Sequence, residues 1–160
     1  RTQAWKGTSD VVEAVARMRS DGVDAILLVA FHVPPQYSDI SWIQEVQPHG
    51  DSNLAMFYRE CDIFISAGKI QYGAFHYPSA EALAVGTLLV TSPYYPASAE
   101  NAFIFEECSS ETIYKAIKQA IDSTEAYRQS KLHRGIKDTK HLSWESSAKR
   151  FLNSLRFNDK

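Results

Sequence analysis

The sequence lacks the features that mark several common classes of protein. It has two cysteines, Cys61 and Cys108, and their separation gives no metal-ligand spacing. Its longest apolar run, Ala25 to Phe31, falls far short of the ~20 residues of a transmembrane helix. The formal net charge is -2, without the basic stripe of a nucleic-acid-binding protein. The composition therefore favours a cytoplasmic protein with two reduced thiols, no membrane span and no nucleic acid as partner.

Catalytic motifs that can be read from a sequence are also missing. There is no Ser/His/Asp order, no Cys/His pair and no Gly-rich Walker loop. The histidines are scattered, and His32 and His49 follow predicted strands, where a lone histidine is typically a solvated or capping loop residue. The sequence therefore gives no sign of nucleophilic catalysis or of a P-loop nucleotide site.

The sequence does contain enough apolar residues for one core, since 44% of its 160 residues are hydrophobic and 12% are aromatic. A chain of this length fits one domain and buries roughly two thirds of its unfolded surface. Asp10 and Glu13 have the spacing of a capping box, and Asp51 is placed to cap the second helix. Apolar patterns predict strands at 24–30, 41–46, 62–66, 87–91 and 102–105, and helices at 10–20, 51–61, 78–85, 110–122, 124–138 and 144–156. This alternation indicates an α/β fold, a Rossmann-like, doubly wound parallel sheet formed by residues 1–160 as a single domain.

Three segments together resemble the donor-binding domain of GT-B-fold retaining glycosyltransferases, specifically family 4 (glycosyl transferases group 1). Residues 54–66 resemble the helix and strand written "L..LY..aDvfv.pS" in that family. Residues 74–92 resemble "GFGLP..EAMA.GTPVV.S", and residues 142–145 resemble the "FSWE" that opens the last helix. At the front, Arg1 and Lys6-Gly7 have the spacing of "GR....KG". The ordered set covers essentially the whole chain.

The resemblance implies the C-terminal half of a two-domain enzyme. Such an enzyme transfers a sugar, with retention, from a nucleoside-diphosphate sugar to an acceptor such as a polysaccharide or glycolipid. The acceptor is expected to bind through an N-terminal domain absent from this chain, which could also place the protein peripherally at a membrane. The isolated domain is therefore expected to be inactive. No cofactor or metal is expected, because the Asp-x-Asp pair of metal-dependent transferases is absent. Residues 76–81 are most similar to rhamnosyltransferase-like members.

Arg1 and Lys6 are the catalytic residues that the resemblance implies. The leaving nucleoside diphosphate gains negative charge in the transition state, and both cations are assigned to it. Arg can fork onto two phosphate oxygens, whereas Lys acts as a compact point charge. His76 and Tyr77 stand just before the helix predicted from Pro78, whose unpaired N–H groups and dipole form an anion site. Open α/β sheets bind ligands at this edge, where the strands end.

Glu81 matches the second acid of the family's Glu-x7-Glu motif, so the resemblance implies that it accepts hydrogen bonds from the ribose diol. Gly73 stands where the first acid, which engages the donor sugar, would be. Three interpretations follow: a sub-branch that handles its sugar differently, a replacement by a residue such as His76, or a protein that binds without turnover. The last would be a non-catalytic nucleotide-binding or partner-supporting relative. An unrelated doubly wound domain, such as a flavodoxin-like one, is the remaining alternative.

The nucleotide base is expected near Val46 and Gln47, followed by Pro48 and His49, where the strand at 41–46 leads into the next helix. Members of the family hold the base there largely through backbone groups. Single side-chain changes at these positions should therefore alter affinity modestly.

The family's domain also begins with a strand just before the position of Arg1. In the Rossmann order 3-2-1-4-5-6 that strand is central. Without it, N–H and C=O groups would be unpaired in the middle of a sheet. Three alternatives remain: another chain supplies the strand, the strand order closes up, or the sequence is a fragment.

Overall fold

The structure, a computed structural model, describes residues 6–70 and 72–156. Its helices are α1 Thr8–Ser20, α2 Asp51–Glu60, α3 Tyr77–Val85, α4 Ser110–Asp122, α5 Glu125–Thr139 and α6 Trp144–Arg156. Its strands are β1 Leu27–Ala30, β2 Ile43–Val46, β3 Ile63–Ser66, β4 Leu88–Thr91 and β5 Phe103–Ile104. Every helix and strand predicted from the sequence is present, and the bounds differ mainly at the strand ends. Short 3-10 turns at Pro35–Tyr37 and Lys140–Leu142 lie between the predicted helices and strands.

All strand pairs are parallel. β1 pairs with β2, so that Leu27 lies beside Ile43 and Ala30 beside Val46. β3 pairs with β4, and β4 pairs with β5. The strands thus form one sheet of two strands and another of three, with β4 in the middle of the second.

The alternation of side chains along β4 shows how helices cover both faces of the sheet. Leu88 and Val90 point to one face and join the core that α1 and α4 form, which includes Ile113. Leu89, between them, points to the other face and packs with Leu83 of α3. All four residues of β4 are buried, which explains its continuous apolar and β-branched sequence. Helices on both faces confirm the doubly wound α/β class predicted from the sequence.

The two sheets are separated by a slot between β1 and β3, which do not pair with each other within the described part of the chain. Two cavities, of about 370 and 600 Å³, lie along this slot, and both strands line each of them. Val11 of α1 and Phe57 of α2 also line the smaller cavity, so the slot lies in the interior between helices of both faces. The strand order therefore does not close up.

Backbone hydrogen bonds identify the groups that face the slot. In β1 the amide of Leu27 donates to the carbonyl of Trp42, on the β2 side, at 2.8 Å. In β3 the carbonyl of Ser66 accepts from the amide of Ser92, on the β4 side, at 3.0 Å. Successive residues of a strand direct their N–H groups to opposite sides, so each strand has a second set of amides pointing away from its partner. These slot-facing amides belong to Leu28, Ala30, Ile63 and Ile65.

We expect the slot-facing amides of β1 and β3 to exchange with deuterium much faster than the amides that pair with β2 and β4. An amide in a strand ladder exchanges only after local opening, and an opening free energy of about 3 kcal/mol slows exchange by roughly a hundredfold. NMR-detected hydrogen exchange measures this, with Leu28 against Val29 and Ile65 against Phe64 as matched neighbours. Equal protection within each pair would show that the slot is closed in solution.

The starts of α1 and α2 correct the capping prediction. Gly7, with a left-handed φ of 67°, occupies the N-cap of α1, and no side chain caps that helix. Asp10 lies inside the first turn and forms an ion pair with Lys69 at 2.9 Å, so its carboxylate is directed away from a capping box. Asp51 is likewise the first residue of α2, after an N-cap at Gly50. Glycines turn the chain into both helices, because a positive φ is easily adopted only without a Cβ.

Both cysteines are free, as predicted for reduced thiols. Cys108 is buried beside Gly7, where an added Cβ would lie 2.6 Å from its Sγ. Burial raises the pKa of both thiols, Cys61 included, so they remain protonated and act as apolar packing groups.

Candidate functional site

A cavity of about 370 Å³ opens at the carboxyl ends of β1 and β3, the edge where open α/β sheets bind ligands. The last residues of these strands, Ala30 and Ser66, line it. The segment before α1 contributes Lys6, and the loop before α3 contributes His76. Tyr94, from the loop after β4, also lines it. The cavity thus combines an ammonium group, a hydroxyl, an imidazole and a phenol ring.

The loop that carries His76 is held by backbone hydrogen bonds to the loop after β4. The amide of Gly73 donates to the carbonyl of Pro93 at 2.6 Å, and the amide of His76 donates to the carbonyl of Tyr95 at 2.9 Å. The amide of Tyr95 donates in return to the carbonyl of Ala74 at 3.0 Å. Because these contacts involve the main chain, they position the loop without specifying its side chains.

His76 is the N-cap of α3, and its Nδ1 atom makes the cap. Nδ1 accepts from the amide of Ser79 at 3.3 Å and lies 2.9 Å from the Oγ of the same residue. The Oγ of Ser66 lies 3.1 Å from the same nitrogen. The ring stacks on Tyr94, with centroids 4.6 Å apart and planes inclined by 15°. Burial and the positive charge of Lys6 lower the pKa of His76, so the ring is neutral at pH 7.

The amino end of α3 offers fewer unpaired amides than the sequence predicts. Ser79 donates its amide to the His76 side chain, and Ala80 donates to the His76 carbonyl at 3.1 Å. Pro78 has no N–H. The amide of Tyr77 has no hydrogen-bond partner among residues 6–70 and 72–156. Of the predicted anion site at this helix, one unpaired amide among the described residues and the helix dipole remain, next to the side chain of His76.

Lys6 is the predicted cation that the structure places at the cavity. It lines the wall, and its charge acts on the imidazole of His76. Gly7 follows it and turns the chain into α1. An ammonium group here puts positive charge at the carboxyl edge of the sheet. Arg1, the other predicted cation, lies outside the described residues.

Glu81 and Tyr77 belong to α3, but neither lines the 370 Å³ cavity. The carboxylate of Glu81 accepts a hydrogen bond from the hydroxyl of Tyr58 in α2 at 2.8 Å. Burial, together with this carboxylate, raises the pKa of Tyr58, so the hydroxyl remains a donor. Tyr77 is 65% exposed, and its ring packs edge-on against Phe75 with centroids 4.8 Å apart. The structure thus places Glu81 between α2 and α3.

Val46 and Gln47 lie at the carboxyl end of β2, where the nucleotide base is expected. Val46 packs against the cluster that contains Tyr58, the partner of the predicted ribose-binding acid. Gln47 donates from Nε2 to the carbonyl of Phe31 and to the carboxylate of Glu45, both at 2.6 Å. Val46 therefore packs in the same cluster as Tyr58, which donates its hydroxyl to Glu81. The side chain of Gln47 instead connects the ends of β1 and β2.

Three residues at this edge of the sheet were not assigned to the site from the sequence. Ser66 and Tyr94 hold the imidazole of His76 through side-chain contacts across three different segments. Ser66 is the last residue of a strand at the ligand edge, and this position is the signal that could have identified it. Phe31, 51% exposed beside His49, has a φ of 72°, which is uncommon for a residue other than glycine. A backbone conformation of this kind is visible only in the structure.

The fold is similar to that of several glycosyltransferases. No protein-family profile and no curated protein sequence matches the chain. The C-terminal domain of a glycosyl transferase group 1 family protein from Francisella tularensis is 22% identical with a TM-score of 0.68, over 88% of this chain and 82% of that one. A glycosyltransferase from Rickettsia africae is 17% identical with a TM-score of 0.75, over 96% and 44% of the two chains. An Anabaena protein solved with UDP and glucose is 11% identical with a TM-score of 0.74, over 100% of this chain and 46% of that one.

These similarities define the class of fold. It is the Rossmann-like α/β fold of GT-B glycosyltransferase domains, represented by the C-terminal domain of a group 1 member. The predicted fold, one half of a GT-B structure, is confirmed. The chain spans less than half the length of the Rickettsia and Anabaena proteins. No helix within the described ranges is long and apolar enough to cross a membrane.

Proposed function

We propose that this chain is the donor-binding domain of a retaining glycosyltransferase and binds the diphosphate of a nucleotide sugar at the carboxyl ends of β1 and β3. The observation that carries the proposal is that Lys6 and the amino end of α3 meet at one cavity in a glycosyltransferase fold. The sequence of residues 76–81 supports a hexose or rhamnose donor. The acceptor, a glycan or lipid, would bind through an N-terminal domain outside this chain. UDP is the natural first probe, because the Anabaena protein was solved with it.

The proposed chemistry is the departure of a nucleoside diphosphate from the anomeric carbon of a sugar. Negative charge grows on the diphosphate as this bond breaks, so positive charge and N–H groups aimed at it lower the barrier. Lys6 supplies positive charge at the cavity. The dipole of α3 favours an anion at its amino end, where His76 and Pro78 line the cavity. These groups can bind and orient the leaving group without a metal ion.

Calorimetric titration with UDP, flavin mononucleotide and NAD tests this function. UDP is expected to bind at least about tenfold more tightly than either alternative. Flavin mononucleotide has a single phosphate, and the diphosphate of NAD is esterified at both ends and so carries less negative charge toward Lys6. Tighter binding of flavin mononucleotide would instead support a flavodoxin-like domain with an unrelated ligand.

Lys6→Gln is expected to lower the affinity for UDP by about ten- to a hundredfold, since a hydrogen bond to a charged group contributes about 1.5–3 kcal/mol. Binding should also become less dependent on salt, because one charge no longer acts on the diphosphate. Calorimetry at two salt concentrations measures both effects. Lys115→Gln, which removes an exposed charge paired with Glu111 on α4, is the matched control and should change neither. An unchanged UDP affinity in Lys6→Gln would remove this residue from the site.

A second candidate function, a non-catalytic nucleotide-binding or partner-supporting domain, is favoured by Gly73. This residue has a φ of 79°, and a Cβ added to it would meet no described atom within 4 Å. There is space for a side chain, but the backbone has a conformation that residues other than glycine rarely adopt. A sugar-binding acid would therefore require a different loop conformation.

An activity assay distinguishes the two functions. The protein is reconstituted with an N-terminal domain and supplied with UDP-glucose and UDP-rhamnose. Transfer or donor hydrolysis supports the enzyme, and UDP binding without turnover supports the second function.

A further inference from the structure

His76 is an uncommon residue at a helix N-cap. Helices prefer Asn, Asp, Ser or Thr there, because a short side chain accepts a hydrogen bond from an amide of the first turn. In α3 an imidazole makes this contact, and its Nδ1 accepts from the amide of Ser79. Imidazole has a second nitrogen, Nε2, on the far edge of the ring, which the shorter capping side chains lack. The cap therefore uses one nitrogen and leaves the other for a second contact.

The contacts of Nδ1 determine which nitrogen carries the proton. A backbone amide can only donate, so the Nδ1 that accepts from Ser79 must present its lone pair. In the neutral ring the proton is then on Nε2. The hydroxyls of Ser66 and Ser79, at 3.1 and 2.9 Å, can donate to the same lone pair. A proton on Nδ1 would face the Ser79 amide and break the cap, so the structure selects the Nε2–H tautomer.

The ring is also held in one orientation, by contacts at its Nδ1 edge and on one face. Ser66 and Ser79, on the Nδ1 side, are 4% and 0% exposed, and Tyr94 covers one face of the ring. The accessible part of the half-buried imidazole is therefore the Nε2 edge, and His76 lines the cavity together with Lys6. Across the described segments, Nε2 has no hydrogen-bond partner. A donor directed into a cavity that also holds an ammonium group is suited to an anionic acceptor.

The imidazole donates as a neutral group. Burial and the charge of Lys6 lower its pKa, and the titratable ring stacked on it, Tyr94, is itself kept protonated because burial raises its pKa. A second proton on the imidazole would have to bind Nδ1, where the Ser79 amide already points. At pH 7 the side chain is thus a directed N–H donor without charge.

We propose that His76 binds the diphosphate of the nucleotide by donating its Nε2–H to a phosphate oxygen while its Nδ1 caps α3. This inference rests on the proposed function and adds a residue-specific contact to it. The cap occupies the Ser79 amide, which would otherwise be available to the phosphate, and the imidazole offers Nε2–H in its place. Lys6 then supplies charge at the cavity, and His76 supplies a donor of fixed direction.

His76→Asn separates the two roles, because Asn is among the best N-cap residues and keeps an acceptor for the Ser79 amide. We expect its melting temperature to stay within about 2 °C of the wild-type value. Its affinity for UDP should fall about tenfold, while uridine, which has no phosphate, should bind both proteins equally. Thr124→Ala, which removes the side-chain cap of α5, is the matched control. It should lower the melting temperature and leave UDP affinity unchanged.

The tautomer can be measured without ligand. Two-dimensional ¹H–¹⁵N NMR of the imidazole ring at pH 7 is expected to show the Nε2–H form, and added UDP should shift mainly the Nε2 resonance. An Nδ1–H form in the free protein overturns this inference, as does equal UDP affinity in wild type and His76→Asn. Both of those results leave the proposed function intact. A wild-type protein that binds no UDP overturns the proposed function and this inference together.

Discussion

Gly68→Ala is expected to lower the free energy of unfolding by about 1–3 kcal/mol and to weaken UDP binding in the same variant. A Cβ at Gly68 would lie 1.8 Å from the hydroxyl oxygen of Tyr94 and 3.0 Å from its Cζ. Tyr94 cannot move freely, because it is 7% exposed and stacks on His76. The phenol ring must shift, and the imidazole that it supports loses its fixed orientation. Urea unfolding and calorimetric titration with UDP measure the two effects.

Removing the clashing hydroxyl provides the control for this prediction. Tyr94→Phe deletes a long hydrogen bond, 3.3 Å to the carbonyl of Ile70, so alone it should cost about 1 kcal/mol or less. Combined with Gly68→Ala, it should restore part of the lost stability, with a coupling of about 1 kcal/mol in a double-mutant cycle. Strictly additive effects would show that the clash between Gly68 and Tyr94 is not the cause.

Glu81→Gln is expected to lower the affinity for UDP by roughly one to two orders of magnitude with little change in stability. We propose that this carboxylate binds the ribose diol, as its match to the second acid of the Glu-x7-Glu motif implies. Hydrogen bonds to a charged group contribute about 1.5–3 kcal/mol. Gln keeps the shape and a carbonyl oxygen, so the hydroxyl of Tyr58, 2.8 Å from Glu81 in the wild type, still has an acceptor. Calorimetric titration beside thermal melting measures both quantities.

The hydrogen bond from Tyr58 gives Glu81 a structural contact that must be separated from ligand binding. A 2′,3′-dideoxy analogue of UDP lacks the diol, so it should bind the wild type weakly and be nearly indifferent to Glu81→Gln. Tyr58→Phe removes the donor and keeps the carboxylate, so stability should fall by about 1 kcal/mol while UDP affinity stays within about threefold. If Glu81→Gln binds UDP as tightly as wild type but melts lower, Glu81 serves only to hold Tyr58.

Local patterns were sufficient to predict the order and type of the helices and strands. A short strand covered on both faces needs an apolar residue at nearly every position, and Leu88–Thr91 is recognisable for that reason. The same patterns predicted the wrong caps for α1 and α2. An aspartate near the start of a helix can be its N-cap or lie within its first turn, and the local sequence does not distinguish the two positions. Asp10 lies inside the first turn, after the N-cap at Gly7, and pairs with Lys69, nearly sixty residues away in the chain.

The ligand edge of the sheet and its candidate residues, Lys6, His76 and Glu81, were also accessible from the sequence, because motifs are read along the chain. Their arrangement was not, since it depends on contacts between distant segments. The packing of α3 against β3 and the loop after β4 brings Ser66 and Tyr94 to the imidazole, which sets its tautomer and its direction. The packing of α2 against α3 gives Glu81 a tyrosine partner. The sequence alone therefore indicated Lys6 and His76, which line the cavity, but not Ser66 or Tyr94 beside them. Only the tertiary structure decided what each can donate or accept, because a hydrogen bond depends on distance and direction in space.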